Sequence, residues 1–144
     1  MTGWARALLL DTHAAIWLAE GQLGDEAVEK LVYAGLADGV FVSPVSAWEV
    51  GMLSRPKPGG RPAVQFMPDP VSWFAALMAK PVIKVAPLTP AIAIAASYLP
   101  GGFHNDPADR LLVATAREMR IPLMTRDSGI VEYGRGGHVA TEAC

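Results

Sequence analysis

The sequence predicts an α/β domain built on a mostly parallel sheet of four to five strands, with helices on both faces. Three observations lead there. Short apolar runs alternate with stretches at helical spacing. Helix starts are marked by a capping residue followed by proline, as in Ser43-Pro44 and Thr89-Pro90. No apolar run reaches the roughly 20 residues that span a bilayer.

The elements follow in order. Residues 7–11 (ALLLD) read as a short buried strand. Helical patterning covers 12–20 and again 25–37, where Asp25 and Glu26 suit a helix N-terminus. GVFVSP at 39–44 is a second strand run, and Ser43 then caps a helix that reaches about residue 54. The Pro- and Gly-rich stretch 55–70 is a loop. VSWFAALMAKP is an amphipathic helix, VIKVAP a third strand, and TPAIAIAASYLP a helix opened by Thr89-Pro90. GGFHN is a loop, and 106–119 (DPADRLLVATAREM) a strong helix. IPLMTRD supplies a fourth strand, and GGHVAT offers a short fifth.

Composition narrows the class. The chain has 144 residues, the size of a single domain with one substantial core. Hydrophobic residues make up 51% and the mean hydropathy is +0.27, which implies a large core or apolar surface covered by a partner. The one cysteine is Cys144, so no disulfide forms within the chain and a reducing cytoplasm fits. A net charge of −2 argues against coating nucleic acid by bulk charge. There is no internal repeat.

Right-handed crossovers place the C-terminal ends of parallel strands on one edge of the sheet, where such folds bind ligands. Asp11 ends the first strand run and Glu49 lies in the second turn of the helix after strand two. Asp106 and Asp109 open the last long helix, and Asp127 follows the fourth strand. Carboxylates gathered this closely raise one another's pKa and destabilise the fold unless a cation neutralises them. Oxygen-ligated divalent ions do so, and two of them support phosphodiester hydrolysis.

Each acid also has a structural duty available. Asp11 suits the N-cap of the helix at Thr12, and Asp127 the N-cap of a short turn at SGIVEY. Glu49 completes a capping box with Ser46, although the helix starts at Ser43. Asp106, before Pro107, is the strongest cap of all, which leaves Asp109 with the weaker structural excuse. Thr12, Ser46 and Thr125 flank the acids and suit hydrogen bonds that orient them. Arg110 and Arg126 adjoin site acids and are candidates for phosphate contact, with surface ion pairing as the plain reading. His13 and His104 read first as structural, and Trp17, Trp48, Trp73 and Phe74 as core or interface rather than base-stacking platforms. Outside the five acids, the 12 Lys and Arg outnumber the remaining carboxylates. Arg55, Lys57 and Arg61 in the 55–70 loop, with Arg110 and Arg126, suggest a broken basic rim for an RNA backbone.

LLLDTHAAIWL, SPVSAWEV and HNDPADRLLVATAREMRIPLMTRDSGI together resemble, in order and spacing, the PIN-domain ribonucleases, specifically VapC-type toxins. The resemblance runs from about Ala7 to His138. It implies a three-layer α/β/α PIN-like domain and an acidic site of Asp11, Glu49, Asp109 and Asp127. Asp11, Asp109 and Asp127 would hold Mg²⁺ or Mn²⁺. It further implies an endoribonuclease acting on RNA, usually a homodimer, neutralised by a small antitoxin protein. Two departures stand out: the Pro/Gly-rich 55–68 segment, and Ala108 where many members carry an aromatic residue. Neither touches the acids, so they bear on substrate choice.

Rival classes fit less well. An aspartate-nucleophile phosphatase wants a second Asp two residues after the first, where His13 stands. A receiver domain wants a late lysine, and no Lys follows Lys84. Nothing like G-x-G-x-x-G follows the first strand. An inactive PIN-like interaction module would lack acids, and none is missing.

Overall fold

The computed structural model describes residues 3–60 and 63–144. The chain runs β1 (Ala7–Leu10), α1 (Thr12–Ala19), α2 (Asp25–Leu36), β2 (Gly39–Val42), α3 (Pro44–Ser54) and α4 (Pro70–Met78). It continues with β3 (Ile83–Val85), α5 (Pro90–Ser97), α6 (Pro107–Met119), β4 (Leu123–Met124), α7 (Ser128–Arg135) and β5 (Thr141–Glu142). The strands form one parallel sheet in the order β3-β2-β1-β4-β5. Leu10 is level with Val42 on one side and Met124 on the other.

The opening apolar run is explained by burial on both faces. A central strand covered on both sides needs consecutive apolar residues rather than alternation. Leu8 and Leu10 pack with Ala14 of α1, Leu31 of α2 and Leu77 of α4. Leu9 points the other way, among Leu112 and Val113 of α6 and Ile130 and Tyr133 of α7. The result is a three-layer α/β/α sandwich.

The order also fixes where a site can form. The chain leaves β1 for β2 and β3 on one side, then returns to β4 on the other. The helices after β1 and β4 therefore depart to opposite faces, opening a crevice at the C-terminal ends of these two strands. The α3 helix packs against α1, α4 and α6, which brings it to that crevice.

Local chemistry accounts for most boundaries. Four helices start with a capping side chain and a proline: Ser43-Pro44, Asp69-Pro70, Thr89-Pro90 and Asp106-Pro107. Proline suits the first turn because its missing N–H has no partner there anyway. The Asp69-Pro70 pair starts α4 one residue before the expected stretch and ends the long loop. The α2 helix is capped by Gly24 without a side-chain bond, and Asp25 and Glu26 sit in its first turn. The expected short turn at SGIVEY is a full helix, α7, and the fourth strand is only Leu123–Met124. Asp127 ends the extended run there by accepting a hydrogen bond from the Ile130 N–H.

Packing between α2 and the approach to β3 yields a first prediction. A Cβ on Gly35 would lie 2.8 Å from the Val82 Cβ, so Gly35→Ala forces an apolar contact apart. Alanine gains about 1 kcal/mol of helix propensity, but overpacking costs about 1–3 kcal/mol. Gly35→Ala is expected to lower the urea midpoint; a raised midpoint would show that propensity wins.

Candidate active site

The crevice collects acids from every segment expected to supply them. Asp11 is nearly buried at the end of β1. Its Oδ1 accepts from the Ala14 N–H at 2.8 Å, capping α1, and its Oδ2 accepts from the Thr125 hydroxyl. Asp106 caps α6 through the Asp109 N–H at 3.0 Å, and Asp127 caps α7 through the Ile130 N–H at 2.9 Å. Capping and site placement are thus compatible. Three helices turn their N-termini towards the same crevice, and their partial positive charge offsets part of the carboxylate charge.

Glu49 is freed for the site because α3 is capped by Ser43, so the Ser46–Glu49 capping box does not form. The Thr12 hydroxyl donates its one proton to Glu49 Oε1, so in the 3.0 Å contact between Ser46 and Thr12 the Ser46 hydroxyl is the donor. The direction is fixed: Ser46 to Thr12 to Glu49. Thr125 works similarly, donating to Asp11 while accepting from the Asp127 N–H at 2.9 Å. No buried side-chain nitrogen or oxygen among the described residues lacks a partner.

Electrostatics record the crowding. Burial pushes the Asp11 carboxyl up, partly countered by the bonds from Thr125 and Ala14. Burial likewise raises Glu49, against the Thr12 bond, with the Asp106 charge adding to the rise. Asp109 goes furthest: burial, then the charges of Asp106, Asp127, Glu49 and Asp11, push it up to about 7. Every acid of the group appears in that sum, so the five form one electrostatic unit.

His104 joins them, a placement that its structural reading in the sequence did not anticipate. It offers Nε2 at 3.5 Å from Asp109 Oδ2, and one ligand atom each of His104, Asp109 and Asp127 lie within 4.8 Å of one another. Its Nδ1, however, accepts from the Asp106 N–H at 3.3 Å. The hydrogen-bond pattern therefore assigns the ring proton to Nε2. A metal-bound imidazole normally donates from its other nitrogen, a place here taken by a backbone donor. His104 turns Nε2 towards Asp109, and the groups that fit a metal are carboxylate oxygens, the donor set of Mg²⁺ and Mn²⁺. Gly129 carries no signal in the sequence, yet a Cβ there would lie 3.0 Å from the His104 ring and 3.2 Å from Asp127 Oδ2.

The cations divide. Arg110 donates to the carbonyls of Ala96, Phe103 and His104, tying the loop between α5 and α6 to the helix, so its guanidinium is not turned to a phosphate. Arg126 lies over the Trp17 ring, 4.1 Å from its centroid, and donates to the Cys144 carbonyl oxygen. Arg61 lies outside the described residues. Arg55 and Lys57 are exposed and form no ion pair with a described residue. His13 is exposed, its ring 5.8 Å from Trp17, and its charge favours the ionised forms of Asp11 and Glu49. Trp73 is packed among Phe66 and Phe74, whereas Trp48 is 52% exposed beside the site.

The PIN domain profile matches residues 8–136. The chain belongs to the PIN domain family. This PIN domain is 33% identical over 121 residues to Ribonuclease VapC22 of Mycobacterium tuberculosis, covering 83% of this chain and 86% of that protein. Its fold is similar to a chain of VapBC2 from Rickettsia felis bound to a promoter DNA fragment. That likeness has a TM-score of 0.67 at 11% identity, covering 95% of this chain and 98% of the other. A chain of FitAB bound to the IR36 DNA fragment gives a TM-score of 0.53 at 17% identity, with 94% of each chain covered.

The raised carboxyls make the metal-free PIN domain pH-sensitive. A group whose folded pKa lies above its unfolded value favours the fold below the unfolded pKa, and that contribution is lost as pH rises through the folded one. For Asp109 the window runs from its ordinary 3.8 to about 7. In EDTA, Tm is expected to fall across that window. Asp109→Asn should leave Tm unchanged near pH 4 and raise it at pH 8 by about 2–4 °C, the worth of one kcal/mol at this size. A variant destabilised at pH 8 would contradict the mutual repulsion.

Proposed function

We propose that this protein is a metal-dependent endoribonuclease that hydrolyses RNA phosphodiester bonds at the acidic crevice. The observation that carries the proposal is the convergence of Asp11, Glu49, Asp109 and Asp127 at the ends of β1 and β4, with Asp109 raised to about 7 by burial and its neighbours. Folding brings these repelling groups together, and a cation is what makes such a cluster favourable.

In this reading Asp11, Asp109 and Asp127 would hold Mg²⁺ or Mn²⁺. The bound cation would neutralise the carboxylates, polarise the scissile phosphate and make water a better nucleophile. The chain's own residues do the rest. Thr125 fixes Asp11 from behind, and its contact with the Asp127 N–H fixes the spacing of the two acids. Thr12 and Ser46 orient Glu49 through Oε1, and Oε2 takes no hydrogen bond from the described residues, so it is the atom placed to accept a proton from attacking water. His104 Nε2–H stands beside Asp109 as a donor to a phosphate oxygen.

As part of the same proposal the protein is the toxin of a toxin–antitoxin pair, with a small cognate antitoxin as partner, and acts as a homodimer in the cytoplasm. The likeness to Ribonuclease VapC22 supports the activity, and the likeness to the VapBC2 chain supports the pairing. Val28, Val32 and Leu36 expose an apolar stripe along α2 that suits association. No described helix is long and apolar enough to cross a membrane. An inactive interaction module has no reason to keep these acids crowded together.

The test is direct. Purified protein is expected to cleave RNA with Mg²⁺ or Mn²⁺ and to stop in EDTA. Asp11→Asn and Asp109→Asn should each lose at least about 100-fold in rate, the scale of removing one electrostatic stabiliser. Asp106→Asn should stay within about tenfold, because Asn caps a helix as well as Asp does. Full activity in EDTA would overturn the metal-dependent reading, and a dead Asp106→Asn beside an active Asp109→Asn would reassign the pair.

A further inference from the structure

Beside the acids runs a groove of about 540 Å³ between α3, the segment that follows it and the start of α6. Glu49 and Asp106 form part of its wall, so it opens onto the crevice. Trp48 lines it with 52% of its surface exposed, and Met52 with 48%. Arg55 and Lys57 border it, and neither is ion-paired with a described residue. Both departures from the family pattern meet here: Ala108, small and buried, lies in the wall, and Pro56 and Pro58 of the 55–68 segment complete it.

A half-exposed indole, two cations that pair with no described residue and an opening onto the acids make a combination with a particular chemistry. A base stacks on an aromatic face whatever its identity, and its phosphates settle on nearby Arg and Lys. A strand whose scissile phosphate lies at Asp11 and Asp109 must also lead its neighbouring nucleotides away from the acids, and this groove supplies both features on the way. A purely apolar peptide would leave Arg55 and Lys57 unanswered.

We propose that the groove is a nucleotide subsite: a base of single-stranded RNA next to the cleaved bond stacks on Trp48, and the adjoining phosphate engages Arg55 and Lys57. The inference rests on the nuclease reading and adds to it where the substrate strand runs. Apart from the cations and the two acids, the groove's described side chains carry only the indole N–H as a hydrogen-bonding donor. The subsite therefore contributes affinity and register, and is tolerant of base identity.

The experiment uses the full chain and a labelled single-stranded oligoribonucleotide, with binding followed by fluorescence anisotropy in Ca²⁺ and cleavage in Mn²⁺. Trp48→Ala is expected to weaken binding by about tenfold and Trp48→Phe to stay within about threefold of wild type, because stacking needs an aromatic ring rather than an indole. The loss should appear in KM, with kcat kept. Replacing one base at a time by an abasic site should find a position that weakens wild type comparably and leaves Trp48→Ala indifferent. Equal binding by Trp48→Ala and wild type, or an abasic loss of the same size in both, would overturn the subsite while leaving wild-type cleavage intact. So would a Trp48→Ala protein that handles RNA normally but escapes inhibition by a protein partner, which would reassign the groove to that partner. Wild type that cleaves no RNA with any divalent ion would instead overturn the nuclease reading itself. Thermal melts of both Trp48 variants separate these outcomes from misfolding.

Discussion

A buried hydrogen bond from Thr125 to Asp11 joins positions 114 residues apart and holds the ends of β4 and β1 together. The acids take their positions from that junction. Asp11 is oriented by it, Asp127 is tied in through its own N–H to the same hydroxyl, and α1 and α7 leave the junction in opposite directions. Remove the parallel pairing of β1 with β4 and the acids belong to unrelated parts of the chain.

Crowding carboxylates costs stability, and the fold offsets the cost with neutral groups before any cation arrives. Helix N-termini at Asp11, Asp106 and Asp127 and hydroxyls at Thr12 and Thr125 all donate into the site. These donors stabilise ionised carboxylates without cancelling their charge, so a demand for positive charge persists. Asp109, pushed up to about 7 by burial first and then by the neighbouring carboxylates, reflects that demand in part. Arg110 and Arg126, the nearest guanidiniums in sequence, do not meet it, because each is drawn to backbone carbonyls.

Much of this was legible in the sequence because the code was local. Capping side chains before proline gave the starts of α3, α5 and α6, and the apolar run at 7–10 gave a strand buried on both faces. The shared edge of Asp11 and Asp127 was legible too, since parallel topology alone sends the ends of β1 and β4 to one side. What was hidden depended on three-dimensional company. His104 reads as a loop histidine until its ring is seen between the Asp106 N–H and Asp109. Arg110 adjoins an acid in sequence but reaches over α5, which spacing does not reveal. Trp48 shares helical spacing with buried residues, and only the position of α3 at the edge of the crevice leaves it exposed. SGIVEY reads as a short turn although it opens the α7 helix; Gly129 and Gly134 lower helix propensity there, and close approach to His104 and to Thr141 explains both glycines.

The sheet order has a consequence for biosynthesis. The central strand β1 is made first, but its partner β4 and the acid that follows it are more than a hundred residues downstream. A ribosome translating this message releases no chain with the full set of acids until residue 127 has been added, and long-range parallel pairing is slow to close even then. Any product of premature termination before β4, or of a cut that removes the last two strands, has an exposed β1 edge and a partial set of carboxylates. The topology thus delays a complete acid set until late in synthesis.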